Sequence, residues 1–123
     1  MVTELELPTR VAAREAVPIV LRVRNAGRER VELMLTGRPV AFDLVVMGAD
    51  RTVVWRRLHG AAVSSMLQAT LVGPGETLEF TERWLQQDNA GGAVPPGTYS
   101  IQGILPVEGG QLVTRAREIV ISR

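Results

Sequence analysis

The sequence predicts an all-β fold built as an antiparallel sandwich, and three observations carry that reading. Apolar residues recur with a period of two over most of the chain, the spacing of strands with one buried face. Turn signals rich in Gly, Pro, Asn and Asp arrive about every 8 to 12 residues, the punctuation of short antiparallel strands. Proline or glycine interrupts every candidate helix except residues 61 to 69, "AAVSSMLQA", which has room for a turn or two.

The elements follow in order. Val17, Ile19, Leu21 and Val23 alternate with Pro18, Val20, Arg22 and Arg24, and "NAGR" then turns the chain. Val31, Leu33 and Leu35 repeat the pattern. "VAFDLVVM" sets Phe42, Leu44 and Val46 on one face, "GAD" reverses direction, and "TVVWR" returns with Val53 and Trp55 as the second arm of a hairpin. A less regular piece ends in "VGPGET", a tight turn in which glycine supplies positive φ and proline stiffens the approach. In "TLEFTERW", Leu78, Phe80 and Trp84 point one way and Glu79 and Arg83 the other, while Glu82 falls on the apolar parity. "LQQDNAGGAVPPGTY", residues 85 to 99, is too hydrophilic to make regular structure and is expected to be a long exposed loop. "TYSIQGIL" places Tyr99, Ile101, Gly103 and Leu105 together, and "PVEGGQ" turns. The closing "LVTRAREIVISR" offers Val113, Arg115, Arg117, Ile119 and Ile121 against Leu112, Thr114, Ala116, Glu118 and Val120, and its inward face stays open.

Composition narrows the class. With 123 residues, 46% of them hydrophobic, the chain is expected to form a single domain, 1 to 123, around an aliphatic core with few aromatic anchors. It has no cysteine, so disulfides, thiolate metal sites and thiol nucleophiles are excluded. The sandwich is therefore expected to be immunoglobulin-like and without a disulfide. All fourteen basic residues are Arg, which removes lysine chemistry of every kind. A net charge of +1 gives no field that would gather nucleic acid. The Arg22, Arg24, Arg28, Arg30 run has Glu29 and Glu32 within it and no interleaved aromatics, as a solvated sheet face would. No stretch approaches the roughly 18 apolar residues of a membrane span, and the N-terminus lacks a signal-peptide layout. The cytoplasm is the expected location. Met1 stands almost on a strand, so a removed leader and an exported protein form the alternative.

Catalysis has little to stand on. His59 is the only histidine, and no G-x-S-x-G elbow accompanies Ser64, Ser65, Ser100 or Ser122. One His without Cys cannot form a metal cluster, and no calcium-loop pattern occurs. Glu76, Glu79 and Glu82 do not share a strand face. The expectation is a protein that is not an enzyme and needs no cofactor. Trp55, Trp84 and Tyr99 are expected as sandwich anchors, the tyrosine hydroxyl finding a backbone partner.

"VVWRRLHG", then "LQATLVGPGETLEFTERW", then "GGAVPPGTYSIQGIL" resemble, in order and spacing, the bacterial intracellular proteinase inhibitor family, BsuPI. The resemblance covers about residues 42 to 105, with Trp55, Leu71, Pro74, Gly75, Glu76, Trp84, Gly97 and Tyr99 on the family pattern. After Trp55 the chain departs: "RRLHGAAVSSM" stands where the family tends to have a polar-aromatic stretch with a phenylalanine, here Val63 or Met66. The resemblance implies an immunoglobulin-like fold and inhibition of an intracellular serine protease of the subtilisin type.

Two loops are candidates for the protein contact. Residues 85 to 97, beginning Leu85, Gln86, Gln87, Asp88, Asn89, are long, flanked by Trp84 and Tyr99 and stiffened by Pro95 and Pro96. Residues 57 to 67 offer Met66 and Leu67, side chains that suit an apolar pocket. Length and anchoring favour the first. The alternative function is a non-inhibitory immunoglobulin-like interaction or accessory module, in one version associated with the cell envelope. A sandwich also leaves strand edges that two copies can use.

Overall fold

The computed structural model describes residues 1–123 and is all-β. Eleven strands follow one another: β1 Val2–Glu6, β2 Arg10–Ala12, β3 Val17–Arg24, β4 Val31–Thr36, β5 Asp43–Met47, β6 Val53–Arg56, β7 Leu67–Val72, β8 Thr77–Trp84, β9 Gly97–Val107, β10 Gly110–Val113 and β11 Arg117–Ser122. They form two sheets. The smaller runs β1-β3-β8; the larger runs β2-β11-β9-β4-β7, with β10 and β5 also on β9 and β6 on β5. All pairs are antiparallel except β2 with β11, which sets Val11 beside Ile121 in parallel.

Alternation builds the core as the sequence predicts. Val17, Ile19, Leu21 and Val23 of β3 are buried, as are Tyr99, Ile101 and Leu105 of β9 and Ile119 and Ile121 of β11. Each such side chain contributes about 1.5–3 kcal/mol of burial. Gly103 sits among them because a Cβ there would meet Leu21, Leu5 and Thr114 at 3.1–3.3 Å. Trp84 fills the end of the sandwich with Trp55 at 6.3 Å and Tyr99 at 5.9 Å between ring centroids. The Tyr99 hydroxyl donates to the Pro95 carbonyl, closing the corner before β9.

Three expectations need correction. No helical turn forms in residues 61 to 69; the chain there is irregular and then enters β7 at Leu67. The closing stretch is two strands, because Thr114 turns its hydroxyl into the core, accepting from the Gly103 N–H at 2.9 Å and donating to the Arg115 carbonyl at 2.8 Å. Val53 is exposed rather than paired with Trp55 on one buried face, after a register shift at Val46/Met47.

Asn25, buried between β3 and β4, was not singled out by sequence. Its amide donates to the Glu29 and Val72 carbonyls (2.7 and 2.9 Å) and its side-chain oxygen accepts from the Gly27 N–H. Its backbone pairs with Gly75 and Glu76. One residue thus ties together two of the crossings between sheets, β3 to β4 and β7 to β8, and Gly75 takes the positive φ of 77° that the turn requires.

Candidate protein-binding surface

The two candidate loops are built very differently. In residues 85 to 97 the polar side chains are turned to internal work. Gln86 is 3% exposed; its amide donates to the Ala12 and Glu15 carbonyls, both at 2.8 Å, and its oxygen accepts from the Arg14 N–H at 3.2 Å. Those bonds hold Gln86 at a φ of 56°. Asp88 accepts from the Ala90 and Gly92 N–H groups, both at 2.9 Å, folding the tip into an Asx turn. Asn89 reaches across to β6 and pairs with Arg56 like an added strand residue, accepting from its N–H at 2.8 Å and donating to its carbonyl at 3.0 Å. Gln87 and Ala93 form a bridge, and the Gln87 carbonyl receives the Trp84 indole N–H at 2.9 Å. What remains for a partner is Leu85, 60% exposed, the outer side chain of Gln87 and a shallow cleft of about 790 Å³ flanked by Arg14 and Arg123.

The segment after β6 is fixed at its ends and free between them. At its root the buried Asp43 carboxylate accepts two bonds from the Arg56 guanidinium, at 3.0 and 2.8 Å, and further bonds from the Leu44 and Leu58 N–H groups. Arg57 lies 3.7 Å over the Phe42 ring, donates to the Phe42 carbonyl, and pairs with Glu82 at 2.9 Å. Glu82 occupies the apolar parity of β8 for this reason: it receives an arginine from the other sheet. A turn follows, with His59 exposed and Gly60 at a φ of 70°. At the far end the Met66 carbonyl accepts from the Gly37 N–H at 2.8 Å.

Between these points, residues 62 to 65 make no backbone–backbone hydrogen bond, and no non-glycine residue of the segment has positive φ. Val63 and Met66, three positions apart, are 44% and 52% exposed. The segment stands off the body over a cleft of about 270 Å³. Its side chains are apolar or hydroxylic, without charge from Ala61 to Gly75.

Other candidates fall into place as scaffold. Arg22 bridges Glu6 and Glu79 on the solvent face of the small sheet, at 2.7 and 2.5 Å. Glu76 accepts from the Gly73 N–H inside its own turn. No three His, Asp or Glu side chains converge as metal ligands would. There is no helix long and apolar enough to cross a membrane.

Comparison with known proteins places this frame. In fold the chain is similar to the sporulation control protein Spo0M of Bacillus subtilis (TM-score 0.55, 14% identity, 98% of this chain and 49% of that one). It is similar to the CARDB domain of a Pyrococcus furiosus protein solved with di-metal ions (0.51, 14%, 97% and 84%). It is also similar to the alkylpurine DNA glycosylase AlkC of Pseudomonas fluorescens, solved on DNA containing an abasic site analog (0.51, 13%, 98% and 30%). The chain thus spans about a third of the glycosylase and half of Spo0M, and at these identities the likeness is one of fold. No curated protein matches the sequence significantly. The profile of the intracellular proteinase inhibitor family, BsuPI, matches residues 5–110, from the end of β1 to the start of β10. On that match, the chain belongs to the intracellular proteinase inhibitor family.

Proposed function

We propose that this chain inhibits a serine protease of the subtilisin type, presenting residues 61 to 67 to the active site with Met66 in the primary apolar pocket and Val63 in the pocket three residues upstream. Family membership supports the activity. One observation carries the choice of segment: residues 62 to 65 leave their backbone N–H and C=O groups unpaired by the fold while both ends are held. Such a segment can pair with a protease as an added strand, and little ordering entropy is left to lose on binding. By contrast, residues 85 to 97 use their backbone groups internally and contain left-handed residues at Gln86 and Gly91, which an extended substrate site does not accept.

The experiment is an inhibition titration with three variants. Met66→Asp removes an apolar side chain whose burial contributes about 1.5–3 kcal/mol, so the inhibition constant rises by about 10- to 100-fold. Val63→Asp weakens inhibition less, and Leu85→Asp leaves it unchanged. The cleft beside Leu85, with Gln87 and the Asp88–Asn89 tip, favours a second reading in which the long loop makes the contact. A loss confined to Leu85→Asp selects it. The family's description supports a reading in which the chain acts inside the cell. If the wild-type chain inhibits no protease, a non-inhibitory interaction module becomes the better account.

A further inference from the structure

The sandwich has several free strand edges, and most are defended. The edge of β6 is capped by Asn89, β8 carries Glu79, Glu82 and Arg83, β1 carries Glu4 and Glu6, and β2 is three residues long. β7 is not defended. It pairs only with β4, in the register Leu67 with Thr36 through Val72 with Val31. Antiparallel bonds alternate along such a pair, and the Gly37 N–H bond to Met66 sets the parity. Gln68, Thr70 and Val72 therefore bond to β4, while Leu67, Ala69 and Leu71 direct their N–H and C=O groups to open solvent. The side chains of these same residues lie on the outer face, where Leu67 is 43% and Leu71 56% exposed. Charge, proline and bulges, the usual protections of an edge, are absent from Leu67–Val72.

We infer that two copies of this chain pair edge to edge through β7, antiparallel about a two-fold axis at Ala69. The sequence of the strand argues for a second copy rather than another partner. "LQATL" is symmetric in its outward residues: about Ala69, Leu67 of each copy meets Leu71 of the other and the two small Ala69 side chains meet at the axis. The residues so paired are those with unpaired backbone groups, which is what six new inter-strand hydrogen bonds require. The uncharged run from Ala61 to Gly75 brings no like charges together and offers no charge to a dissimilar partner. Leu67 also belongs to the proposed inhibitory segment, so pairing hides it. That consequence alone rests on the inhibitor reading.

Sedimentation of the full chain over a concentration series tests the pairing without any protease. The expected mass climbs from 13.4 kDa toward twice that value. Ala69→Glu, which sets two carboxylates against each other on a solvent-facing position, raises the dissociation constant by about tenfold or more while the circular dichroism spectrum is unchanged. Because the chain has no cysteine, Ala69→Cys reports the geometry: Cα atoms about 5.5 Å apart at the axis allow a disulfide, so this variant cross-links under mild oxidation faster than Ala93→Cys. A mass fixed at the monomer value up to millimolar concentration overturns the inference. So does a dimer that Ala69→Glu does not weaken, or cross-linking no faster than the Ala93→Cys control.

Discussion

Asn25 carries no charge and sits in an ordinary turn sequence, yet its side chain closes three hydrogen bonds where the chain crosses between sheets. Asn25→Ala removes all three of these bonds, taking from the Gly27 N–H and the Glu29 and Val72 carbonyls the partner that joins the two crossings, and is expected to cost about 2–4 kcal/mol, seen as a lower urea midpoint with an unchanged slope. An N-A-G-R turn reads the same whether its Asn faces water or the core, which is why sequence reading passed over this residue. Tyr99 is the opposite case: its place at the start of a strand after Pro-Pro-Gly announces its role. Burial raises its phenol above the ordinary value of 10. The unfolded chain then ionises first, so this stabilising contribution is complete below about pH 10 and is lost as the pH climbs through the raised folded-state value. Urea midpoints compared at pH 8 and on the alkaline side should fall for the wild type and fall less for Tyr99→Phe, which in turn loses about 1 kcal/mol at neutral pH with its hydrogen bond to Pro95.

Strands with a clean apolar face, such as β3 and β9, could be read directly from alternation. β7 could not, because its pattern is inverted. The half-buried positions are Gln68 and Thr70 and the exposed ones are Leu67, Ala69 and Leu71, so hydrophobicity points away from the core. The inferred pairing of this edge with a second copy accounts for such an inversion. The long loop was legible as a loop but not as a braced one: nothing local shows that Gln86 reaches the Ala12–Glu15 turn or that Asn89 caps β6. If Asp88 folds its tip, Asp88→Ala should speed hydrogen exchange at the Ala90 and Gly92 amides by about tenfold, with the amides of β9 unchanged. At the root of the other segment, Arg57→Ala removes a cation–π contact and its bonds to Phe42 and Glu82. A cost of about 1–3 kcal/mol is expected, together with faster proteolytic cutting between residues 61 and 66.

For the molecule as a whole, the fold and family were recoverable because the anchors Trp55, Trp84 and Tyr99 and the Pro74-Gly75 turn recur in fixed order. For the contact surface, sequence and folded structure support different segments. Sequence favoured residues 85 to 97 for length and proline content, whereas the pattern of unpaired backbone groups supports residues 61 to 67, and that pattern exists only once the chain is folded. The most direct measurement is a titration of a bacterial intracellular subtilisin with the purified chain, following residual activity and the intact mass of the inhibitor. The account predicts inhibition that saturates at a fixed ratio with the chain uncut, and a rise of about 10- to 100-fold in the inhibition constant for Met66→Asp. Rapid cleavage within residues 61 to 67 without inhibition, or inhibition that Met66→Asp leaves untouched, would contradict it.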